Sequence, residues 1–337
     1  MVKAIEGSPK RIALALSGGG FRAAAFHLGV MRKLQDLELL HKIDLLSCVS
    51  GGSIAGAFLA LNWQSPTVLD ELQTYLQTKS IAVGSVIGGL FDPFESRLDK
   101  LAHSYDRDLF HKAKLVDLTN GPRLYINSTN LSTGNMFFFV AGGQGLSEMG
   151  EHELGVVNGA DFSIAKAVAA SSAFPPVFPP LRLDKDDYQP ANQVEYVTLT
   201  DGGIYDNMGV NPALRERNKI DYLIVSDGGK PFVNAQTPTE SGAIVLKAAL
   251  DIMMEQVRGL EFDRLEHRHL AGKGPCPLWF SIDSQEGEVQ RGDAQFSSSV
   301  GTNLAALTAI QIEVLGRHGG ALVEARIRKY APELLAP

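Results

Sequence analysis

What is scarce in this chain narrows its class. Only two cysteines, Cys48 and Cys276, occur among 337 residues, far apart and each in apolar surroundings. Neither a disulfide framework nor a cysteine-based zinc site is therefore expected, and a reducing, cytoplasmic setting fits. Blocks of Lys or Arg are missing as well. The formal net charge of -7 and the pI near 5.6 argue against a nucleic-acid partner and against electrostatic attraction to an anionic bilayer, so any membrane contact should be peripheral and apolar. Uncharged runs of membrane-spanning length are also short of the mark. The stretch 45–69 carries no charged side chain, but Ser50-Gly51-Gly52-Ser53 interrupts it, which reads as strand, turn and buried helix. At the N-terminus Glu6 and Pro9 precede the apolar run IALAL, unlike an export signal. Internal repeats and low-complexity linkers are not seen.

What is present is a 45% hydrophobic composition, ample for a core, arranged as alternating strand and helix patterns. Arg11–Leu16 reads as a strand, and Phe21, Ala24, Ala25, Leu28, Met31, Leu34 and Leu37 then recur at helical spacing. Leu45–Val49 reads as a second strand and Ser53–Trp63 as a second helix. Further strands are expected at Arg123–Asn127, Met136–Val140, Tyr196–Thr200, Tyr222–Ser226 and Pro277–Ile282. Helices are expected at Phe162–Ala170, Ser241–Leu270 and Thr302–Leu315. This order predicts an α/β fold with a mostly parallel sheet covered on both faces. One unit over residues 1–337 is expected, mostly helical from about residue 236, with Phe174–Pro180 (FPPVFPP) and the polar stretch 184–193 as punctuation within it.

The residues with chemistry gather at two glycine turns. Cys48-Val49-Ser50-Gly51-Gly52 fits the nucleophile-elbow pattern G-x-S-x-G at every place but the first, and it links a strand to a helix, where a serine oxygen stands above the sheet edge. Gly18-Gly19-Gly20 joins the first strand to the first helix, so its amides can trap an oxyanion beside a helix N-terminus. In a parallel sheet both turns lie at the carboxyl edge. The same glycines, with Ala23, also satisfy the dinucleotide fingerprint G-x-G-x-x-[GA]; that reading needs an acid at the end of the second strand, whereas Asp44 lies at its start.

A serine nucleophile needs a base. His103, His111, His152, His267, His269 and His318 follow Ser50 in the order a conventional Ser-His-Asp triad requires, yet none stands in a persuasive loop. Two aspartates, Asp201 and Asp227, each open an Asp-Gly-Gly at a strand end. Burial could raise either carboxyl toward the range of a neutral-pH base, and the pattern alone does not choose between them.

The blocks SGGGFRAAAFHLGV, VSGGS, AASSAFPPVFPP and DGGIYDNMGV, in that order over residues 17 to 210, resemble those of the patatin-like phospholipases, and GTNLAALTAIQIEVLGRHGGAL resembles the C-terminal helix of bacterial members. The resemblance implies a three-layer α/β/α fold, a Ser-Asp dyad without a catalytic histidine, no cofactor, no metal, and a lipid ester substrate met at a membrane surface. It assigns Ser50 as nucleophile, Asp201 as dyad aspartate and Gly18, Gly19 and Gly20 as oxyanion hole. Asp201 is preferred over Asp227 because the family block continues to an asparagine, here Asn207. Arg22 is expected to anchor a phosphate or order the glycine loop, and Phe137–Phe139, Phe174 and Phe178 to line an acyl channel. Two departures stand out: Ser17 where many members carry Asp or Gly, and Cys48 at the elbow's first position.

Overall fold

The computed structural model describes residues 9–81, 96–190, 194–232 and 241–335. Ten strands form one sheet: β1 (Ile12–Leu16), β2 (Ile43–Cys48), β3 (Arg123–Asn130), β4 (Met136–Ala141), β5 (Glu148–Glu151), β6 (Gly155–Asn158), β7 (Leu181–Leu183), β8 (Val197–Asp201), β9 (Tyr222–Asp227) and β10 (Cys276–Ser281). Around them lie α1 (Gly20–Asp36), α2 (Gly51–Leu61), α3 (Val68–Thr78), α4 (Arg97–Tyr105), α5 (Ile164–Ser171), the single turn α6 (Gly203–Asp206), α7 (Gly242–Leu270), α8 (Asp293–Ser299) and α9 (Ala309–Tyr330). The spatial order is β10-β9-β1-β2-β3-β4-β5-β6, with β8 paired to β3 and β7 to β8.

Strands β10, β9, β1, β2 and β3 are mutually parallel, as the alternating pattern requires. From β3 onward the sheet is antiparallel. The sequence expectation of a mostly parallel sheet thus holds for one half only, because the hairpin β3–β4 turns the chain back without a crossover helix.

Side-chain alternation along β1 divides the core. Ile12, Leu14 and Leu16 face a large cluster built with α1, α2, α3, α4, α5 and α9. Ala13 and Ala15 face a thinner one, completed by Leu223, Val225, the segment Met208–Leu214 and Leu265 of α7. Helix, sheet, helix is the resulting layer order.

The last long helix departs from expectation. It runs Ala309–Tyr330, opened by a capping box between Thr308 and Gln311, rather than 302–315. Gly316, Gly319 and Gly320, past the expected end at Leu315, sit inside the helix, where they admit α1. A β-carbon on Gly29 would lie 2.0 Å from the Gly316 carbonyl oxygen, so the two helix backbones touch. No helix among the described residues is long and apolar enough to cross a membrane.

The contact between α1 and α9 generates a test. Gly29→Ala forces two backbones apart and is expected to cost about 2–4 kcal/mol in denaturant unfolding. Gly316→Ala meets only the Gly29 α-carbon at 3.8 Å and is expected to change stability by less than about 1 kcal/mol.

Candidate active site

Strand β3 changes partner partway along its length. Its first half pairs parallel with β2, ending at Cys48↔Ile126; its second half pairs antiparallel with β8, beginning at Ser128↔Asp201. The carboxyl ends of β2 and β8 therefore meet head to head, two β3 positions or about 7 Å apart. Asn127 bridges the gap. Its side-chain amide donates to Ser47 Oγ (2.9 Å) and to the Cys48 carbonyl (3.2 Å), while its own carbonyl accepts the Ser171 hydroxyl (2.6 Å).

Ser50 caps this junction with φ +50° and ψ -116°, a left-handed backbone that a non-glycine residue holds only at a cost of about 1–3 kcal/mol. Its N–H donates to Ser171 Oγ at 3.0 Å, which pins the turn. Gly51 and Gly52 follow because nothing larger fits: a β-carbon on Gly51 would lie 2.2 Å from the Gly20 carbonyl oxygen, and one on Gly52 2.2 Å from that of Leu16. The tight elbow presses α2 against the β1–α1 turn and leaves Ser50 half-exposed above buried neighbours.

Asp201 is 2% exposed. Its Oδ1 accepts the Gly203 N–H at 2.7 Å. Burial pushes its pKa up to about 7, against the opposing pull of the Gly203 N–H and of the Ser50 side chain nearby. Asp227 has the same burial and the same local turn, with Oδ1 accepting the Gly229 N–H at 3.1 Å. What differs is the second oxygen. In Asp227 it is held at 2.6 Å by Arg258 of α7, an ion pair that commits this carboxylate to a cation.

The glycine turn adjoins Ser50: a β-carbon on Gly18 would meet Asn207 Oδ1 at 2.4 Å and the Ser50 β-carbon at 3.2 Å. The Gly18 N–H, however, donates to the Asn207 carbonyl at 3.0 Å. Of the three expected oxyanion donors this one is engaged, which leaves the amides of Gly19 (φ 140°) and Gly20 (φ 63°) as candidates. Asn207 itself is a wedge. Its side chain occupies the space where β-carbons of Gly18, Gly203 and Gly229 would stand, at 2.4, 2.6 and 3.0 Å, and so holds all three turns together.

Arg22 is wholly buried. Nε and Nη2 donate to the Gly228 carbonyl (3.2 and 3.1 Å), and Nη1 donates to the Val300 carbonyl (3.1 Å) and Thr302 Oγ1 (2.6 Å). Burial lowers its pKa to about 10, partly offset by the charge of Asp227. Four of its five N–H donors are thus spent on the protein, and Arg22 ties the Gly228 turn to the Val300–Thr302 segment. The phenylalanines are also reassigned. Phe137, Phe138 and Phe139 are buried core residues, with Phe139 stacked on Phe162 and Phe138 facing Tyr125 across the sheet; Phe178 is buried and only Phe174 is half-exposed. A row on one strand alternates faces, so three consecutive rings cannot line one channel.

His103, His111, His152, His267 and His269 are exposed, and His318 is buried with Nε2 donating to the Ile282 carbonyl at 2.9 Å. The histidine that does lie behind the site is His27. Burial lowers its pKa to about 4, so the ring is neutral: Nε2 donates to the Ser17 carbonyl (2.9 Å) and Nδ1 accepts the Ser226 hydroxyl (2.7 Å). Ser17 Oγ in turn accepts the Gly228 N–H at 2.8 Å. Serine rather than glycine at position 17 thus ties the two glycine turns together. Ser171, Asn127 and His27 are the residues that sequence reasoning missed. Ser171 lies inside the AASSAFPPVFPP block, the one signal that could have pointed to it. No group of acidic, histidine or cysteine side chains that could hold a metal ion occurs among the described residues.

Solved structures of human GIVD cytosolic phospholipase A2 share the fold, with a TM-score of 0.61 at 13% identity over 97% of this chain, and 0.60 at 14% identity for that enzyme in complex with methyl gamma-linolenyl fluorophosphonate and terbium chloride. The chain matches about 60% of the length of those relatives. No curated protein sequence matches it. The profile of patatin-like phospholipases covers residues 14–214, from β1 through the glycine turn, Ser50, Asp201 and Asn207 to the end of the Met208–Leu214 segment, and the chain belongs to that family.

Proposed function

We propose that the chain is a serine acyl hydrolase that cleaves fatty-acyl esters of phospholipids or related lipids through Ser50 and Asp201. What supports this reading is a strained, half-exposed serine close to a buried carboxyl that has no cationic partner among the described residues. A carboxyl titrating near neutrality is matched to proton transfer from a hydroxyl at physiological pH. Ser50 Oγ attacks the ester carbonyl while Asp201 takes its proton. The tetrahedral oxyanion accepts hydrogen bonds from the Gly19 and Gly20 amides at the α1 N-terminus. Collapse expels the lysolipid or alcohol, protonated by Asp201, and leaves an acyl-serine. Water, deprotonated by Asp201, then releases the fatty acid. The dinucleotide alternative lacks support, because Asp44 is spent at the opposite edge of the sheet on the Ile12 N–H (2.8 Å) and Arg11 (3.4 Å).

Three outcomes follow. Ser50→Ala should abolish hydrolysis of short-chain p-nitrophenyl esters and covalent labelling by a fluorophosphonate, with the circular dichroism spectrum retained; labelling at another residue would refute the assignment. Asp201→Asn should lower turnover by about a hundredfold or more. Asp227→Asn should keep turnover per folded molecule within about tenfold while losing stability, since half-buried Arg258 then loses the closer of its two carboxylate partners.

A fourth outcome is a pH dependence. Activity needs the Asp201 carboxylate, so kcat/KM should rise about tenfold per pH unit below 7 and level off above it. Stability runs the other way. The folded pKa lies above the unfolded value of about 3.9, so the contribution of this group is fully present below pH 4 and lost as the pH rises through 7. Asp201→Asn should therefore be more stable than the parent in denaturant at pH 8, by a margin that shrinks toward pH 4.

A further inference from the structure

Helix α7 is longer than the sheet it serves. It is the crossover between the parallel neighbours β9 and β10, yet its 29 residues span about 43 Å at 1.5 Å each, whereas the six residues of β10 span about 20 Å. Only five residues separate its end from β10, so its C-terminus lies at the amino edge of the sheet. Its contacts with the sheet begin partway along. Arg258 holds Asp227 at the carboxyl end of β9, Phe262 packs on Trp279 with ring centroids 4.9 Å apart, and Leu265 enters the core. Among the described residues of α7 only Glu261 and Leu265 are buried. The part before Arg258, about 24 Å of helix, therefore stands past the carboxyl edge, the edge that carries Ser50.

The projecting part is apolar on its free side. Val245, Leu246, Ile252 and Met253 are 44%, 64%, 47% and 63% exposed, and Leu260 continues the stripe at 67%. Leu246, Met253 and Leu260 recur every seven residues, so they share one face. Phe232, on the connection leaving the same edge, is 45% exposed. Charges on residues 242–258 of the helix are equal and paired: Lys247 with Asp251 at 2.6 Å, and Arg258, which also holds Asp227, with Glu255 at 3.2 Å. With the chain at -7 overall, such a face suits an interface that is apolar beneath and carries no net charge.

We infer that the projecting half of α7, with Phe232, docks the protein on a zwitterionic lipid surface by inserting Leu246, Ile252 and Met253, so that the carboxyl edge and Ser50 face the lipid. Amphipathic helices without a cationic face bind by buried apolar area alone, which matches the balanced charges here. The inference rests on the reading of the chain as a lipid acyl hydrolase and adds to it how the lipid is met.

The test uses the full chain carrying Ser50→Ala, to keep the lipid intact, in flotation with phosphatidylcholine vesicles. The protein should float, and adding Leu246→Asp with Met253→Asp should lower the bound fraction about tenfold or more. In the protein with Ser50 present, the same pair should leave short-chain ester turnover within about twofold while cutting release of fatty acid from vesicles about tenfold. Equal flotation of the parent and the double variant would overturn the inference. So would a parent that fails to float and sediments as a dimer which the double variant dissociates, because the stripe would then be a seam between two copies. Flotation that depends on Leu246 and Met253 in a protein with no esterase activity would keep the docking face and discard the hydrolase.

Discussion

Everything at the carboxyl edge depends on the exchange of partners along β3. A strand that pairs parallel with β2 and then antiparallel with β8 brings two strand ends face to face, an arrangement unavailable to a uniform ladder. The exchange leaves a break in the backbone pairing, and Asn127 fills it with a side chain that serves as both spacer and hydrogen-bond bridge. Ser171 closes the same break from the side of α5. Its hydroxyl receives the Ser50 N–H, and its carbonyl receives the Gly202 N–H at 3.3 Å, so one residue sets the height of both turns.

Around that junction the protein tolerates several costs that a fold alone would avoid. Ser50 is held in a left-handed backbone, Asp201 is desolvated with no counter-charge among the described residues, and the Arg22 guanidinium is buried among carbonyl oxygens. Each is supported by neighbours that touch several turns at once: Asn207 against three glycines, Arg22 between the Gly228 carbonyl and the Val300–Thr302 segment, and His27 between Ser17 and Ser226. Shared supports make the site rigid, because displacing one turn disturbs the others.

Much of this was legible in the sequence. The first two strand-turn-helix units announce themselves by an apolar run, small residues and helical spacing, and their glycines are required by contacts of 2.2 to 2.8 Å that a β-carbon would make. Other parts were hidden. Strands β5, β6 and β7 have three or four residues each and carry no sustained alternation. Helix α3 shows apolar spacing at Val68, Leu69, Leu72, Tyr75 and Leu76 and could have been read. The part of α9 past Leu315 holds glycines whose place in a helix follows from α1 lying against them. At the site, Asp201 and Asp227 differ through Arg258, and the Gly18 amide is engaged by Asn207; both facts are tertiary and leave no local trace.

The register of β8 has a consequence for how this protein can vary. Asp201 faces Ser50 only while it sits opposite Ser128; a slip of one residue would carry its side chain to the other face of the sheet. Insertions or deletions between Val197 and Gly203 are therefore incompatible with the site. The connection from Leu183 to Val197 leads into the same strand, yet lengthening a loop costs only about 0.6 kcal/mol per doubling. Length variation among descendants of this sequence is thus channelled into that connection and away from the five residues of β8.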